Sequence, residues 1–193
     1  MLRIPVGFVR GTAIALLIGF APIHSLAAKK ASSETPIENL KAGDYVWHSD
    51  RVSDGPVELV VDLGDQVAYA YQEGRLIGAS TISSGKPGHE SPIGRFEILQ
   101  KRKEHYSNKY NSAPMPYMQR LTWSGVALHG GHVPDYPASH GCIRLPIKFA
   151  QKLYGVTELG TSIYVMDDAP GSPEAALKLA RTIPDWRPSS SFR

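Results

Sequence analysis

The chain has 193 residues, 42% of them hydrophobic and 20% charged, enough to bury one core, which excludes global disorder. The formal charge is +3, but Arg3 and Arg10 fall in residues 1–27, which hold no acid, leaving 19 basic against 18 acidic side chains in the rest. So even a balance excludes the basic field of a nucleic-acid binder, and it gives no polybasic stripe for a membrane surface.

Taken in chain order, residues 1–27 read as a signal peptide. Arg3 and Arg10 supply the positive start, Thr12–Ala21 is apolar, and Ser25-Leu26-Ala27 presents small residues for cleavage. The apolar run falls short of the ~20 residues that span a bilayer. An uncleaved anchor is the alternative, and the absence of a cysteine at the cleavage site excludes a lipoprotein. The expected location is therefore the cell envelope, in the periplasm after cleavage. Residues 28–55 are polar and mixed, with Lys29, Lys30, Ser32, Ser33 and Pro36 at their start. They read as a linker and N-terminal extension ahead of a domain over residues 56–167.

From Val57 the period is two: Val57, Leu59, Val61 and Leu63 alternate with other residues as a half-buried strand requires. Gly64-Asp65 turns the chain into Val67–Tyr71, and Glu73-Gly74 turns it again into Arg75–Ser83. After a Gly/Pro-rich loop at Ser84–Pro92, a strand is expected over Arg95–Gln100. Arg120–Trp123 and Val126–His129 flank Ser124-Gly125 as a further hairpin, with Trp123 expected in the core. One helix follows Pro146, with Phe149, Ala150, Leu153 and Tyr154 as its apolar stripe and Gly155 as its C-terminal stop. Ser162–Met166 closes the sheet. The rest, 168–193, reads as a peripheral tail with a short helix over Glu174–Arg181. The pattern predicts a mainly β, sandwich-like domain with one short helix after the chemistry-bearing motif.

That motif is Leu128-His129-Gly130-Gly131-His132 followed by Ser139-His140-Gly141-Cys142-Ile143-Arg144-Leu145-Pro146. Cys142 is the sole cysteine, so no internal disulfide is available to it. A thiol with an ordinary pKa of about 8.5 needs a base or a positive environment to attack at neutral pH. Two histidines lie near it in sequence, and the expected helix after Pro146 offers the positive end of its dipole. Gly141 permits a tight turn that exposes its amide beside the sulfur for a developing oxyanion.

Ser139-His140-Gly141-Cys142 with His-Gly upstream resembles the signature of the L,D-transpeptidase catalytic domain, also called YkuD-like. Ser83-Ser84-Gly85-Lys86, Ser91-Pro92-Ile93-Gly94-Arg95-Phe96 and Met115-Pro116-Tyr117-Met118 are similar to further family segments in the right order. The resemblance implies Cys142 as nucleophile and His129 as general base, its imidazole oriented by the carbonyl of Gly130. His140, Gly141 and Ser139 would shape the site, and Arg144, Tyr117 and Met115 would contact substrate, Arg144 through a carboxylate. It also implies peptidoglycan tetrapeptide stems as substrate, a cysteinyl thioester as intermediate, and no cofactor. The acceptor would be a second stem or an outer-membrane protein, with cell-wall biogenesis and cell shape as the setting. The His129-to-Ser139 spacing is shorter than in many members, which implies a shorter loop over the site.

Three other readings stay open. Water as acceptor would make the protein an L,D-carboxypeptidase or cross-link hydrolase. A wall-binding module with an inactive site is a different class, which the pairing of His129 with Cys142 disfavours. Zinc is chemically suited to His129, His132, His140 and Cys142, but neither H-x-x-H nor H-x-C is a common zinc spacing. The cluster Lys101, Arg102, Lys103, His105, Tyr106 and Lys109 reads as a solvated face, with contact to anionic wall polymers as its functional alternative. Tyr69 and Tyr71 read as sheet-face residues.

Overall fold

The structure is a computed structural model that describes residues 37–184. The signal-peptide expectation for residues 1–27 lies outside them. None of the described helices is long and apolar enough to cross a membrane.

Two sheets are built as the alternation predicts. The larger has six strands in the order β1 (Tyr45–Trp47), β4 (Arg75–Thr81), β3 (Val67–Gln72), β2 (Val57–Asp62), β10 (Ser162–Met166) and β5 (Gly94–Glu97). The smaller runs β6 (Gln100–Arg102), β7 (Met118–Arg120), β8 (Ala127–Gly130), β9 (Ile143–Leu145). All pairings are antiparallel except β2 with β10 and β8 with β9. Glu73-Gly74, both at positive φ, form the tight β3–β4 turn.

The six-stranded sheet is covered on both faces, which is why β3 is buried throughout rather than alternately. One face joins Leu59, Val61, Ile77 and Ile163 to the four-stranded sheet and to α1 (Ile147–Val156). The other face, with Val60, Tyr69, Tyr71 and Tyr164, is covered by α2 (Pro173–Ala180) through Ala176, Leu177 and Ala180. Ser172 caps α2 by accepting from the Ala175 amide, 3.2 Å away. Tyr69 and Tyr71 are thus packing residues.

Several elements differ from the sequence expectation. The segment read as linker supplies β1, an edge strand whose Tyr45 and Trp47 rings pack on Phe149 of α1 at 5.9 and 5.6 Å. Removing that fully buried phenyl ring would cost about 3–5 kcal/mol. Gly78 makes the packing possible, since a Cβ there would lie 2.7 Å from the Trp47 ring. The tail contributes α2, a second helix, and so is part of the core. The strand expected over Arg95–Gln100 is broken, with Ile98 buried between β5 and β6 as the chain passes from one sheet to the other. Trp123, expected in the core, is 74% exposed because the β7–β8 turn begins before it. Gly155 sits inside the last turn of α1, and Thr157 is the C-cap.

Candidate active site

Strand β9 was not expected, and it decides where Cys142 stands. Ile143 and Leu145 are fully buried in the core. Side chains alternate along a strand, so Cys142 and Arg144 point to the opposite face. On the parallel neighbour β8, Leu128 pairs with Ile143, and His129 pairs with Arg144. Leu128 shares the core face, which leaves His129 beside Arg144 on the outer face. Together with His132, His140, Ser139 and Met115 these residues line a cleft of about 590 Å³. Tyr117 is not among its walls: at φ 56° it turns its ring onto Tyr154, 5.9 Å between centroids, and against the core.

The Ser139–Cys142 motif is clasped by the loop that follows β4. Ser83 and Arg144 exchange backbone hydrogen bonds of 3.0 Å each way. Ser139 donates its amide to Ser84 O at 2.9 Å, and Lys86 donates to Ser139 O at 3.0 Å. Ser91 Oγ accepts from the Gly85 amide and donates to Gly141 O, each at 3.0 Å. Gly85 is obligatory, since a Cβ there would meet His89 O at 2.0 Å. The Ser-Ser-Gly-Lys and Ser-Pro-Ile-Gly segments therefore act by holding the motif in shape. Inside it, Ser139 Oγ donates to Cys142 O and accepts from the Gly141 amide. That amide, expected to serve an oxyanion, is already engaged. Gly141 itself has φ +105°, a conformation that favours glycine.

His129 is 8% exposed, and its Nδ1 lies 2.9 Å from Gly130 O. A carbonyl can only accept, so Nδ1 carries the proton and Nε2 presents a lone pair. Burial is the largest cause that pushes this imidazole down to about 4, with Arg144 and His105 adding to it against the Gly130 hydrogen bond. The ring is neutral at pH 7, as a base must be. Gly130 also lies where α1 meets β8: a Cβ there would be 3.2 Å from Ile147 Cα and 3.4 Å from Ala150 Cβ.

The thiol differs from the expected helix-activated thiolate. In the chain, β9 intervenes between Cys142 and the start of α1 at Ile147. Burial raises the thiol above its ordinary value, opposed by an Ala127 N–H hydrogen bond and by Arg144, Arg120 and Lys109. Sγ–H points to Gly125 O at 3.7 Å. The resting pair is therefore a neutral thiol and a neutral imidazole.

An arm over residues 103–117 overhangs the cleft. Its legs are paired by Met115 N to His105 O and Tyr117 N to Lys103 O, both 2.8 Å. Its Tyr110 stacks on His140 at 4.4 Å, and His140 meets His89 edge-on at 4.9 Å. His140 thus joins two loops at the rim. Arg144 donates to Ala138 O at 3.3 Å, so its guanidinium is held at the cleft wall. No cluster of three or more His, Cys, Asp or Glu side chains able to hold a metal is found among the described residues.

A family profile described as the L,D-transpeptidase catalytic domain (YkuD) matches residues 56–165. Among solved structures, the chain is similar to an L,D-transpeptidase from Stackebrandtia nassauensis (26% identity, TM-score 0.55), covering 62% of this chain and 60% of that one. One from Xylanimonas cellulosilytica shares 25% identity at TM-score 0.54, over 59% and 62% of the two chains. A third, from Mycobacterium smegmatis, shares 24% at TM-score 0.54, over 57% and 58%. The match thus spans less than two thirds of each of these chains. A search of curated proteins returns no match.

Proposed function

The chain belongs to the L,D-transpeptidase catalytic-domain family, and from that premise we propose that Cys142 transfers an acyl group between peptidoglycan stem peptides. The observation that supports the reading is the shared face of β8 and β9: a thiol, a neutral imidazole with an assigned tautomer, and an arginine line one cleft.

The donor is a tetrapeptide stem. Rotation about Cα–Cβ turns Sγ from the Gly125 carbonyl toward His129 Nε2, which takes the thiol proton as sulfur attacks the carbonyl of the third residue. The C–N bond to terminal D-alanine breaks, the amine leaves with the proton from His129, and a thioester remains. An acceptor amine on a second stem attacks the thioester and passes a proton to His129, and the thiol is restored as the C–S bond breaks. Arg144 is placed to hold a donor carboxylate. No step calls for a cofactor. Export to the periplasm belongs to the same reading, because the substrate lies there.

The test is mass spectrometry of the mature protein with disaccharide-tetrapeptide muropeptides. A protein adduct lighter than the full donor by one D-alanine, followed by cross-linked product, is the expected result, with the rate unchanged in chelator. A carbapenem, whose strained carbonyl takes the same attack, should add one drug mass to wild type and none to Cys142→Ala. An adduct on any other residue, or turnover without a covalent intermediate, would refute the assignment.

A further inference from the structure

On the α2 face of the six-stranded sheet, away from Cys142, lies a recess of about 620 Å³ that the acyl-transfer reading leaves unused. Its floor is apolar, with Leu40, Val46, Val67 and Pro173. Charges of opposite sign stand at its two ends. Arg51 marks one end, where its Nη1–H donates to Leu76 O at 3.3 Å and its other N–H groups stay available. Asp65 marks the other, in the β2–β3 turn two residues before Val67, which pairs with Thr81. Glu38 adds a second carboxylate to the wall. None of these three side chains forms an ion pair among the described residues. Leu76 and Thr81 are five residues apart along β4, which sets the two ends about 16 Å apart. Between them Tyr69, paired with Ala79, is 6% exposed. Its ring packs with the α2 core, yet its hydroxyl has no hydrogen-bond partner among the described residues and is not sealed off. That hydroxyl opens on the recess. Most of the wall comes from residues 37–51 and 171–173, outside the span 56–165 that matches the family. The recess is therefore a feature of this chain rather than of the shared domain.

We infer that this recess binds a short peptide with both termini free, its carboxylate on Arg51 and its ammonium on Asp65 and Glu38. The inference is independent of the acyl-transfer reading. A guanidinium takes a carboxylate through two parallel hydrogen bonds, and the unpaired carboxylates at the far end call for a cation. The dimensions select the length. An extended tripeptide is about 10 Å long, and a hydrogen bond of about 2.8 Å at either terminus brings it to the span between the charges. A single amino acid reaches one end only, and an internal segment of a longer chain brings charge to neither. Tyr69 stands midway, where a peptide backbone presents amides and carbonyls to its hydroxyl. The apolar floor accepts small aliphatic side chains. No bond is made or broken here; the site binds peptide on the side of the sheet remote from the thiol.

The experiment is a titration of the purified protein with trialanine, N-acetyl-trialanine and trialaninamide, read on assigned backbone amide resonances. Trialanine should shift the amides of β3 and β4 and saturate in the millimolar range or below. Capping either terminus should weaken binding about tenfold or more, the factor expected of a lost charge-assisted hydrogen bond. Arg51→Gln should bring trialanine and trialaninamide to about equal affinity while the preference for a free amine persists. Glu38→Gln with Asp65→Asn should do the converse, and both side chains are exposed, so the fold is not at risk. Tyr69→Phe removes only the hydroxyl and should weaken trialanine severalfold. The three peptides on wild type decide the matter even without the variants. No shift at β3 or β4 up to about 10 mM, equal binding of the capped peptides, or shifts confined to the residues around Cys142 overturns the inference. The transferase reading stands or falls separately, on the covalent adduct.

Discussion

Replacing Cys142 by alanine is expected to abolish acyl transfer, by about 10⁴-fold or more, while the thermal midpoint moves by only about 3 °C or less. The asymmetry follows from where the sulfur sits. It is only partly buried, beside Met115, Met118 and Ala127, and its one donated hydrogen bond is a weak one to Gly125 O. Little packing is lost with it. The chemistry has no substitute, since no second cysteine exists. Turnover of tetrapeptide donor and a thermal melt on the same preparation decide the matter. Undiminished turnover would sink the mechanism, and a collapsed melt would recast Cys142 as a core residue.

His129→Ala should lower the acylation rate by about 10²–10⁴-fold, the range for loss of a general base. His140→Ala and His132→Ala should cost far less, because the first braces the rim by stacking and the second is exposed. The pH profile separates a base from a structural residue. The folded pKa of His129 is depressed from 6.5 to about 4, so the neutral form persists as pH falls and is lost only near pH 4. The acid limb of acylation should lie there in wild type and vanish in His129→Ala. The same depression makes the site contribute stability above about pH 6.5 that is lost as pH falls through about 4. An acid limb at the ordinary imidazole value, or a larger loss at His132, would point to a different base.

Much of this was legible in the sequence, and the parts that were not share a physical cause. Strict alternation located β2, β3 and β4, and the family resemblance implied the contact of His129 with the Gly130 carbonyl that the structure contains. The sequence reading missed β9, although Cys142-Ile143-Arg144-Leu145 alternates with period two; three residues are too few for periodicity to outweigh a following helix signal. With β9 absent, Cys142 was read as lying directly ahead of the helix, where the structure has a strand in between. Tyr117 and Trp123 were hard to place for the opposite reason. An aromatic side chain in a turn can face either way, and the choice depends on partners distant in sequence, Tyr154 in one case and open solvent in the other. The parallel pairing of β8 with β9, which sets His129 beside Arg144 at the cleft that Cys142 also lines, is a long-range contact of the kind local pattern cannot carry.

The bare contact at Gly130 gives the enzyme a soft point distinct from its melting. With no side chain there to interlock, the first turns of α1 rest directly on the strand backbone whose carbonyl aims the imidazole. Loosening the helix by a fraction of an ångström would swing the base while both sheets stay intact. Heat should therefore silence the enzyme before it denatures it, with activity fading several degrees below the midpoint read by near-ultraviolet circular dichroism. Phe149→Leu, which slackens the grip of α1 from its buried side, should widen that gap, because working temperature is set by one helix and survival temperature by the whole core.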